Sequence, residues 1–321
     1  MKYLVVFFLL LSTLCAQKLL KPVYSYTISQ GVSTDMVYAK KRLYISSDTG
    51  KIDVFNTKTK KIVESIRLGK IKDFMGDTID SKIFSIDVLN GTLLILSQDN
   101  AGYSRIHLYK NKKLTQIISN TDMLNITKAK FIDKHTILLA LISNDIISYD
   151  IHTKKRNWTV QASMSKFSDF SLNNNKTLVA VTDESGDVHV LSTKDGKKMK
   201  TLTGQNVDNV FSIDFKGNTI LTGGQDRRAA VYNLKSRSAY HKMSSFFIYG
   251  VGLSPSGKIG AYSCDMSNDV ELFNTANRES LGKYKVTNKV INSILFLNEK
   301  EFFINSRSPN VGYYKVKEHI K

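Results

Sequence analysis

Short segments in which apolar and polar residues alternate recur along the whole chain, and most of them run into a polar turn. The clearest are KIDVFNTKTKK at 51–61, RIHLYKNKK at 105–113, DIISYDIHTKKR at 145–156, DVHVLSTKDGKK at 187–198, RAAVYNLKSR at 228–237, DVELFNTANR at 269–278 and NVGYYKVK at 310–317. Such alternation is typical of a half-buried β-strand. Consecutive copies lie about 40 residues apart, the period of a repeating unit of four strands.

Each of these segments follows a second apolar strand, such as RLYISSD or TILTGGQ, and a first strand, such as FSIDVLN or FSIDF. No amphipathic helix pattern of useful length appears. The strand VYSYTIS at 23–29 precedes the first unit, whereas the last unit lacks a fourth strand. Pairing the two removes an open sheet edge. The sequence therefore predicts an all-β, seven-bladed β-propeller of four-stranded antiparallel blades, closed by the N-terminal strand.

Two units carry a resemblance to known propeller repeats. The stretch VFSIDFKGNTILTGGQDRRAAVYNLKS at 210–236 resembles a WD40 repeat, with Val231-Tyr232-Asn233 where such repeats often have Trp-Asp. Only Tyr149-Asp150 keeps the Asp, and no Gly-His dipeptide is present. The unit RLYISSDTGKIDVFNTKTKKIVESI instead resembles the repeats of quinoprotein-like propellers and of the outer-membrane assembly propeller. The resemblance implies a propeller without most of the WD40 hydrogen-bond tetrads.

The first residues, MKYLVVFFLLLSTLCAQ, combine an early lysine, an apolar run and small residues near Ala16. This pattern is typical of a cleavable export signal. We expect a signal peptide over 1–16, a single propeller domain over 17–321 and a periplasmic product. Leu14 stands where lipoprotein signals want a small residue, which disfavours a lipid anchor at Cys15. Cleavage there leaves Cys264 as the only thiol, which excludes an internal disulfide.

The predicted fold indicates where much of the formal charge of +18 lies. In antiparallel four-stranded blades, the turns between strands one and two and between strands three and four lie at the same end. These turns are rich in lysine, so we predict a basic interaction face at that end. Its candidate residues are Lys58, Lys60, Lys61, Lys110, Lys112, Lys113, Lys154, Lys155, Arg156, Lys194, Lys197 and Lys198.

The opposite end should be acidic, because its turns and links are rich in Asp. They contain Asp48, Asp73, Asp77, Asp80, Asp99, Asp145, Asp183, Glu184, Asp187, Asp226 and Asp265. The cations of the Asp226-Arg227-Arg228 turn are an exception on this face. We expect Asp226 to accept backbone N–H bonds within the turn. We expect Arg227 and Arg228 to pair with neighbouring carboxylates.

Motifs for known chemistry are scarce. The six histidines fall at different repeat positions, none at ligand spacing from another, and no nucleophile elbow, phosphate loop or HExxH motif is present. We therefore expect no catalytic, cofactor-binding or metal-binding residues. The rival interpretation is a hydrolase or lactonase that binds calcium through Asp183, Glu184, Asp187 and the Asp73–Asp80 link. A quinone cofactor is disfavoured, because the only tryptophan, Trp158, belongs to a predicted outer strand.

The export signal, the degenerate propeller repeats and the basicity together resemble the accessory propeller of periplasmic nitrate reductase systems (the NapL type). The resemblance implies a non-catalytic accessory protein for assembly, maturation or electron supply, with nitrate reductase subunits as partners. An outer-membrane assembly scaffold is the alternative within this class. Export argues against nucleic acid as the partner. The basic face could also contact an anionic membrane weakly, and we expect a monomer.

Overall fold

The computed structural model describes residues 19–317 and confirms the predicted architecture. Seven four-stranded antiparallel sheets form a ring, and the first strand of each sheet lies innermost. The predicted signal segment, 1–16, lies outside the described residues. Within 19–317 no helix is both long enough and apolar enough to cross a bilayer.

The strands of the seven blades follow one another in chain order. Blade 1 contains β2 (Ser33–Ala39), β3 (Arg42–Ser47), β4 (Lys51–Asn56) and β5 (Lys61–Arg67). A small hairpin of β6 (Ile71–Lys72) and β7 (Thr78–Ile79) precedes blade 2. Blade 2 contains β8 (Ile83–Leu89), β9 (Thr92–Gln98), β10 (Ser104–Lys110) and β11 (Lys113–Ile118). Blade 3 contains β12 (Ile126–Phe131), β13 (Thr136–Leu141), β14 (Asp145–Asp150) and β15 (Lys155–Gln161). Short 3₁₀ segments lie at Asn100–Gly102 and Asn120–Asp122.

The remaining blades repeat this order. Blade 4 contains β16 (Phe167–Leu172), β17 (Leu178–Asp183), β18 (Val188–Ser192) and β19 (Lys198–Leu202). Blade 5 contains β20 (Val210–Lys216), β21 (Thr219–Gly224), β22 (Arg228–Asn233) and β23 (Ala239–Met243). Blade 6 contains β24 (Val251–Leu253), β25 (Ile259–Ser263), β26 (Val270–Asn274) and β27 (Ser280–Tyr284). Blade 7 contains β28 (Ile291–Asn298), β29 (Glu301–Ser306), β30 (Asn310–Lys315) and β1 (Tyr24–Thr27).

The N-terminal strand closes the ring as predicted. β1 pairs antiparallel with β30, from Tyr24 opposite Tyr313 to Thr27 opposite Asn310. Tyr26 is buried and packs edge-on against Phe55 of blade 1. The N-terminal segment therefore joins the last blade to the first without leaving an unpaired edge.

Hydrophobic clusters fill the space between neighbouring blades. The cluster between blades 2 and 3 is built on Leu96, Phe131 and Leu139, all almost fully buried. The cluster between blades 3 and 4 contains Leu138, Phe170 and Val181. Because strand residues alternate between the two faces of a sheet, each blade contributes to the clusters on both of its sides.

The turns fall at two ends of the ring, as antiparallel topology requires. At one end the turn after strand three bonds to the turn after strand one, as in Thr57 N–H to the Lys41 carbonyl at 3.0 Å and Thr275 N–H to the Lys258 carbonyl at 2.9 Å. We call this end the basic face. The other end, the link face, carries the turns after strand two and the links between blades.

Candidate functional site

All twelve residues predicted for the basic face lie at that end or at the adjoining start of an outer strand, and all are exposed. Among the described residues, none of the twelve forms an ion pair; the paired cations are others. Lys198 differs from the other residues of this set, because its ammonium donates a hydrogen bond to the Ala162 carbonyl at 2.7 Å. The structure therefore gathers exposed positive charge at one end of the ring.

A repeated turn geometry presents these cations. In blade 1, Asn56 Oδ1 accepts hydrogen bonds from the N–H groups of Lys58 and Thr59, at 2.9 and 3.1 Å. Lys60 N–H then donates to the Asn56 carbonyl at 2.8 Å, and Lys60 has a φ of 60°. Asp150 begins the same turn in blade 3, where Lys154 has a φ of 55°. An Asx turn followed by a left-handed residue thus reverses the chain.

The left-handed position of these turns is occupied by a cation in most blades. The residues are Lys60, Lys154, Arg237 and Arg278, whereas blade 4 has Gly196; blade 2 has instead a two-residue turn in which Asn111 and Lys112 are both left-handed. A left-handed conformation costs about 1–2 kcal/mol for a residue with a β-carbon, so glycine or asparagine would suit the backbone better. Lysine and arginine occupy these positions although the backbone favours glycine or asparagine. This favours a role for their positive charge. The spacing of Asn or Asp four residues before Lys or Arg could have added Arg237 and Arg278 to the predicted set.

The link face is mixed in charge, which corrects the prediction of an acidic end. The predicted carboxylates do lie there, but exposed cations such as Lys72, Lys166 and Lys289 lie among them. Several carboxylates hold the backbone of their own turns. Asp265 accepts from the N–H groups of Ser267 and Asp269 at 3.0 and 3.1 Å.

The Asp226-Arg227-Arg228 turn is a blade corner. Asp226 accepts from Arg228 N–H at 3.0 Å, as predicted, and also from Val207 N–H at 2.8 Å. The prediction that the two arginines pair with carboxylates is wrong for the described residues. Arg228 donates instead to the Gln205 carbonyl at 3.0 Å, and Arg227 is exposed at a φ of 64°.

The one buried carboxylate of the rival calcium-enzyme interpretation, Asp183, is held in structural contacts. Asp183 is fully buried and accepts from Asn144 Nδ2 at 3.0 Å and Ser163 Oγ at 2.5 Å, with His189 Nε2 at 3.3 Å. Burial opposes its ionisation, but hydrogen bonds from His189, Ser163 and Ser185 lower the pKa of Asp183 far below its usual range. This network ties the link before blade 4 to the blade itself. Across residues 19–317, no three His, Cys, Asp or Glu side chains are grouped to hold a metal.

Two further features involve reactive side chains: the thiol of Cys264, the only cysteine within 19–317, and a pair of histidines. Cys264 is buried, and burial raises the pKa of its thiol to about 12, with Asp265 adding to the effect. His135 and His152, expected to be separate, lie on adjacent turns of blade 3 with ring centroids 4.7 Å apart. The sequence did not reveal this proximity, because the two histidines are separated along the chain and come together only through the contact between the two turns.

Sequence reasoning missed an ionic lining of the central channel. The innermost strands enclose a cavity of about 340 Å³. Lys130 Nζ lies 3.2 Å from Asp35 Oδ2, and Lys128 Nζ lies 2.5 Å from Asp169 Oδ1. Burial would lower the pKa of Lys130, but Asp35 and other carboxylates raise it above its usual value. The lining therefore consists of paired charges.

The channel carboxylates also connect one blade to the next. Such a carboxylate accepts a backbone N–H from the innermost strand of the following blade in four cases. These bonds are Asp35 to Ile86 at 2.9 Å, Asp87 to Phe131 at 2.8 Å, Asp169 to Ile213 at 3.2 Å and Asp214 to Leu253 at 2.9 Å. The recurring Asp of SIDV, FSDF and SIDF was the sequence signal for them. Their main effect is to hold the ring together.

The geometry thus leaves the basic face as the candidate functional site. The twelve predicted cations there are exposed and form no ion pair among the described residues, whereas the charges of the channel and many of those of the link face are already bonded. No protein-family model matches the chain, and no curated protein matches it. The observed architecture is that of a seven-bladed β-propeller, consistent with WD40-like and quinoprotein-like propellers.

Proposed function

We propose that this protein is a non-catalytic interaction platform that docks an acidic protein partner on its basic face. The observation that supports this proposal is the set of twelve predicted basic-face cations, all exposed and none in an ion pair among the described residues. A patch of one sign of charge on a rigid scaffold speeds encounter with a partner of opposite charge and orients it. The closed ring needs little rearrangement to present this surface.

The finer proposal is that the partner is a subunit of a periplasmic nitrate reductase and that docking assists its assembly, maturation or electron supply. It is supported by the resemblance described above: an export-type leader, degenerate propeller repeats and strong basicity. On this proposal the partner surface is acidic, and the basic face carries no chemistry of its own.

The experiment is affinity capture from a periplasmic extract at about 50 mM and about 500 mM NaCl, salt concentrations between which exposed charges become screened. We expect nitrate reductase subunits, identified by mass spectrometry, at low salt and their loss at high salt. A variant with Lys58, Lys60 and Lys112 changed to Glu should lose them at low salt too.

The matched control changes Lys72, Lys82 and Lys289 on the link face to Glu, since these are exposed and form no ion pair among the described residues. It alters the net charge equally, so its capture should equal that of the wild type. Equal capture by the basic-face variant would refute docking through that face. Capture of other acidic proteins only, with the same salt dependence, would refute the nitrate reductase assignment and keep the docking proposal.

A further inference from the structure

The basic face opens into a groove between blades 2 and 3, with a cavity of about 620 Å³. Its floor is apolar and includes Leu89, Leu108 and Phe131. Lys110, Lys113 and Lys134 form its rim, and all three are exposed. A groove with an apolar floor and a cationic rim suits a ligand that is both apolar and anionic.

Three of the other six blades fill the corresponding place with an aromatic ring of their outer strand, whereas blades 1, 4 and 6 have Glu64, Lys200 and Gly282 there. In blade 3, Trp158 lies opposite Ser148, its Nε1 donates to the Thr193 carbonyl of blade 4 at 3.2 Å, and its ring covers Gly196. In blade 5, Tyr240 lies opposite Val231 and donates to the Thr275 carbonyl of blade 6 at 2.7 Å.

The closing strand shows the same arrangement. Tyr24 lies opposite Tyr313 and contacts the turn of blade 1, where Lys60 Nζ lies 4.5 Å from the centre of its ring. In three blades, therefore, an aromatic ring from the outer strand packs on the turn of the next blade.

Blade 2 has a threonine at this position. Thr115 lies opposite Leu108, in the register that places Trp158 opposite Ser148 and Tyr240 opposite Val231. Thr115 lines the groove and is exposed. Its short side chain leaves room beside the turn of blade 3 that a ring occupies elsewhere.

We propose that this groove is the anchor point of the basic face and receives an aromatic side chain from an acidic segment of the partner. The inference rests on the proposed function and adds the chemistry of the partner. The ring would lie where Trp158 lies in the next blade, and flanking carboxylates would meet Lys110, Lys113 and Lys134.

The charged side chains around the groove are the reason for proposing an acidic segment as its ligand. None of the three rim lysines forms an ion pair among the described residues. Two carboxylates lie nearby, and each is held by a backbone N–H of its own turn: Asp133 accepts from Thr136 N–H at 2.9 Å and Asp150 from Thr153 N–H at 2.8 Å. A buried ring surrounded by charge contacts is the usual composition of a binding hot spot.

The test uses two dye-labelled peptides, Asp-Glu-Trp-Glu-Asp and Asp-Glu-Ala-Glu-Asp, and the full chain, with affinity measured by fluorescence anisotropy. We expect the tryptophan peptide to bind at least about tenfold more tightly. Thr115→Trp should fill the groove from within and remove this preference. Thr159→Trp, on an exposed outer-strand position of blade 3, is the matched control and should keep it.

Folding of Thr115→Trp is checked by circular dichroism, and Lys113→Glu provides a second variant that leaves the groove open. Lys113→Glu should weaken both peptides by a similar factor, because it removes charge contacts and leaves the ring contact. Equal affinity of the two peptides for the wild type, or an undiminished preference in a folded Thr115→Trp variant, would overturn the proposal.

Laurate tests whether the groove binds an acyl anion, which is also both apolar and anionic. If laurate binds in a manner that Thr115→Trp abolishes while the two peptides bind alike, the groove belongs to an acyl anion and the aromatic anchor is refuted.

The proposal of docking on the basic face and the proposal of an aromatic anchor in the groove can fail separately. Partner capture that is lost in the charge-reversed variant but kept in Thr115→Trp would retain the basic face and reject the groove.

Discussion

At the scale of single residues, His107 is a buried group whose protonation opposes folding. It lies on β10, 7% exposed. Burial, with a smaller contribution from Arg105, lowers its pKa to about 4 from 6.5, against an opposing effect of Asp99. The imidazole is neutral in both states above pH 6.5. Below that pH the unfolded chain takes up the proton first, so the fold loses up to about 1.4 kcal/mol per pH unit down to about pH 4.

The variant His107→Phe should not lose this stability as the pH falls, because it has no imidazole to protonate. We expect the free energy of unfolding, measured by urea titration between pH 7 and 4, to fall less steeply for His107→Phe than for the wild type. His107→Gln, which also lacks an imidazole at this position, is the second variant and should show the same shallower slope. Parallel curves for the wild type and His107→Phe would contradict the effect of burial.

Residue-scale predictions succeeded where the chemistry is local. The exposure of the turn lysines and the backbone bonds of Asp226 follow from the turn sequence alone. The partners of Arg228 and the proximity of His135 to His152 could not be predicted in this way. They depend on which turns and links lie next to one another, and that is determined by the packing of strands and blades.

At the scale of elements, the alternation of apolar residues was sufficient to predict the blades. The third strands and the closing strand lie where the pattern placed them, because a period of two residues forces one side of each strand inward. The β6–β7 hairpin was read as a plain link, since two-residue strands carry no periodicity. The groove at Thr115 was also hidden, because it depends on the register of β11 against β10 and on the turn of the next blade.

The closing strand β1 should contribute a large part of the stability through Tyr26. This side chain is 3% exposed and packs edge-on against Phe55 and Phe303, with ring centroids 5.3 and 5.8 Å away. We expect Tyr26→Ala to lower the free energy of unfolding by about 3–5 kcal/mol, as for other buried aromatic truncations. Tyr24→Ala, at a half-buried position of the same strand, should have a smaller effect. Equal urea midpoints for the two variants would refute a special role of Tyr26 in closing the ring.

At the scale of the whole molecule, the charge is concentrated at one end of the ring. The twelve predicted basic-face cations are exposed and form no ion pair among the described residues, whereas the channel pairs are shielded by the strands around them. Mutual repulsion on the basic face therefore opposes folding, and dissolved salt should reduce it. The Debye length falls to about 10 Å at 0.1 M salt, so a moderate salt concentration is sufficient.

We therefore expect Tm to rise by about 2 °C, equivalent to about 1 kcal/mol, between about 20 and about 200 mM NaCl. If ion pairs dominated the electrostatics, the same salt would lower Tm, so the sign of the change distinguishes the two cases. Scanning calorimetry of the wild type is compared with a variant in which Lys58, Lys60 and Lys61 are changed to Gln. The variant should start from a higher Tm at low salt and respond less to added NaCl, because three of the repelling charges are gone. A Tm that falls with salt, or an unchanged response in the variant, would show that repulsion on the basic face does not limit the stability of the ring.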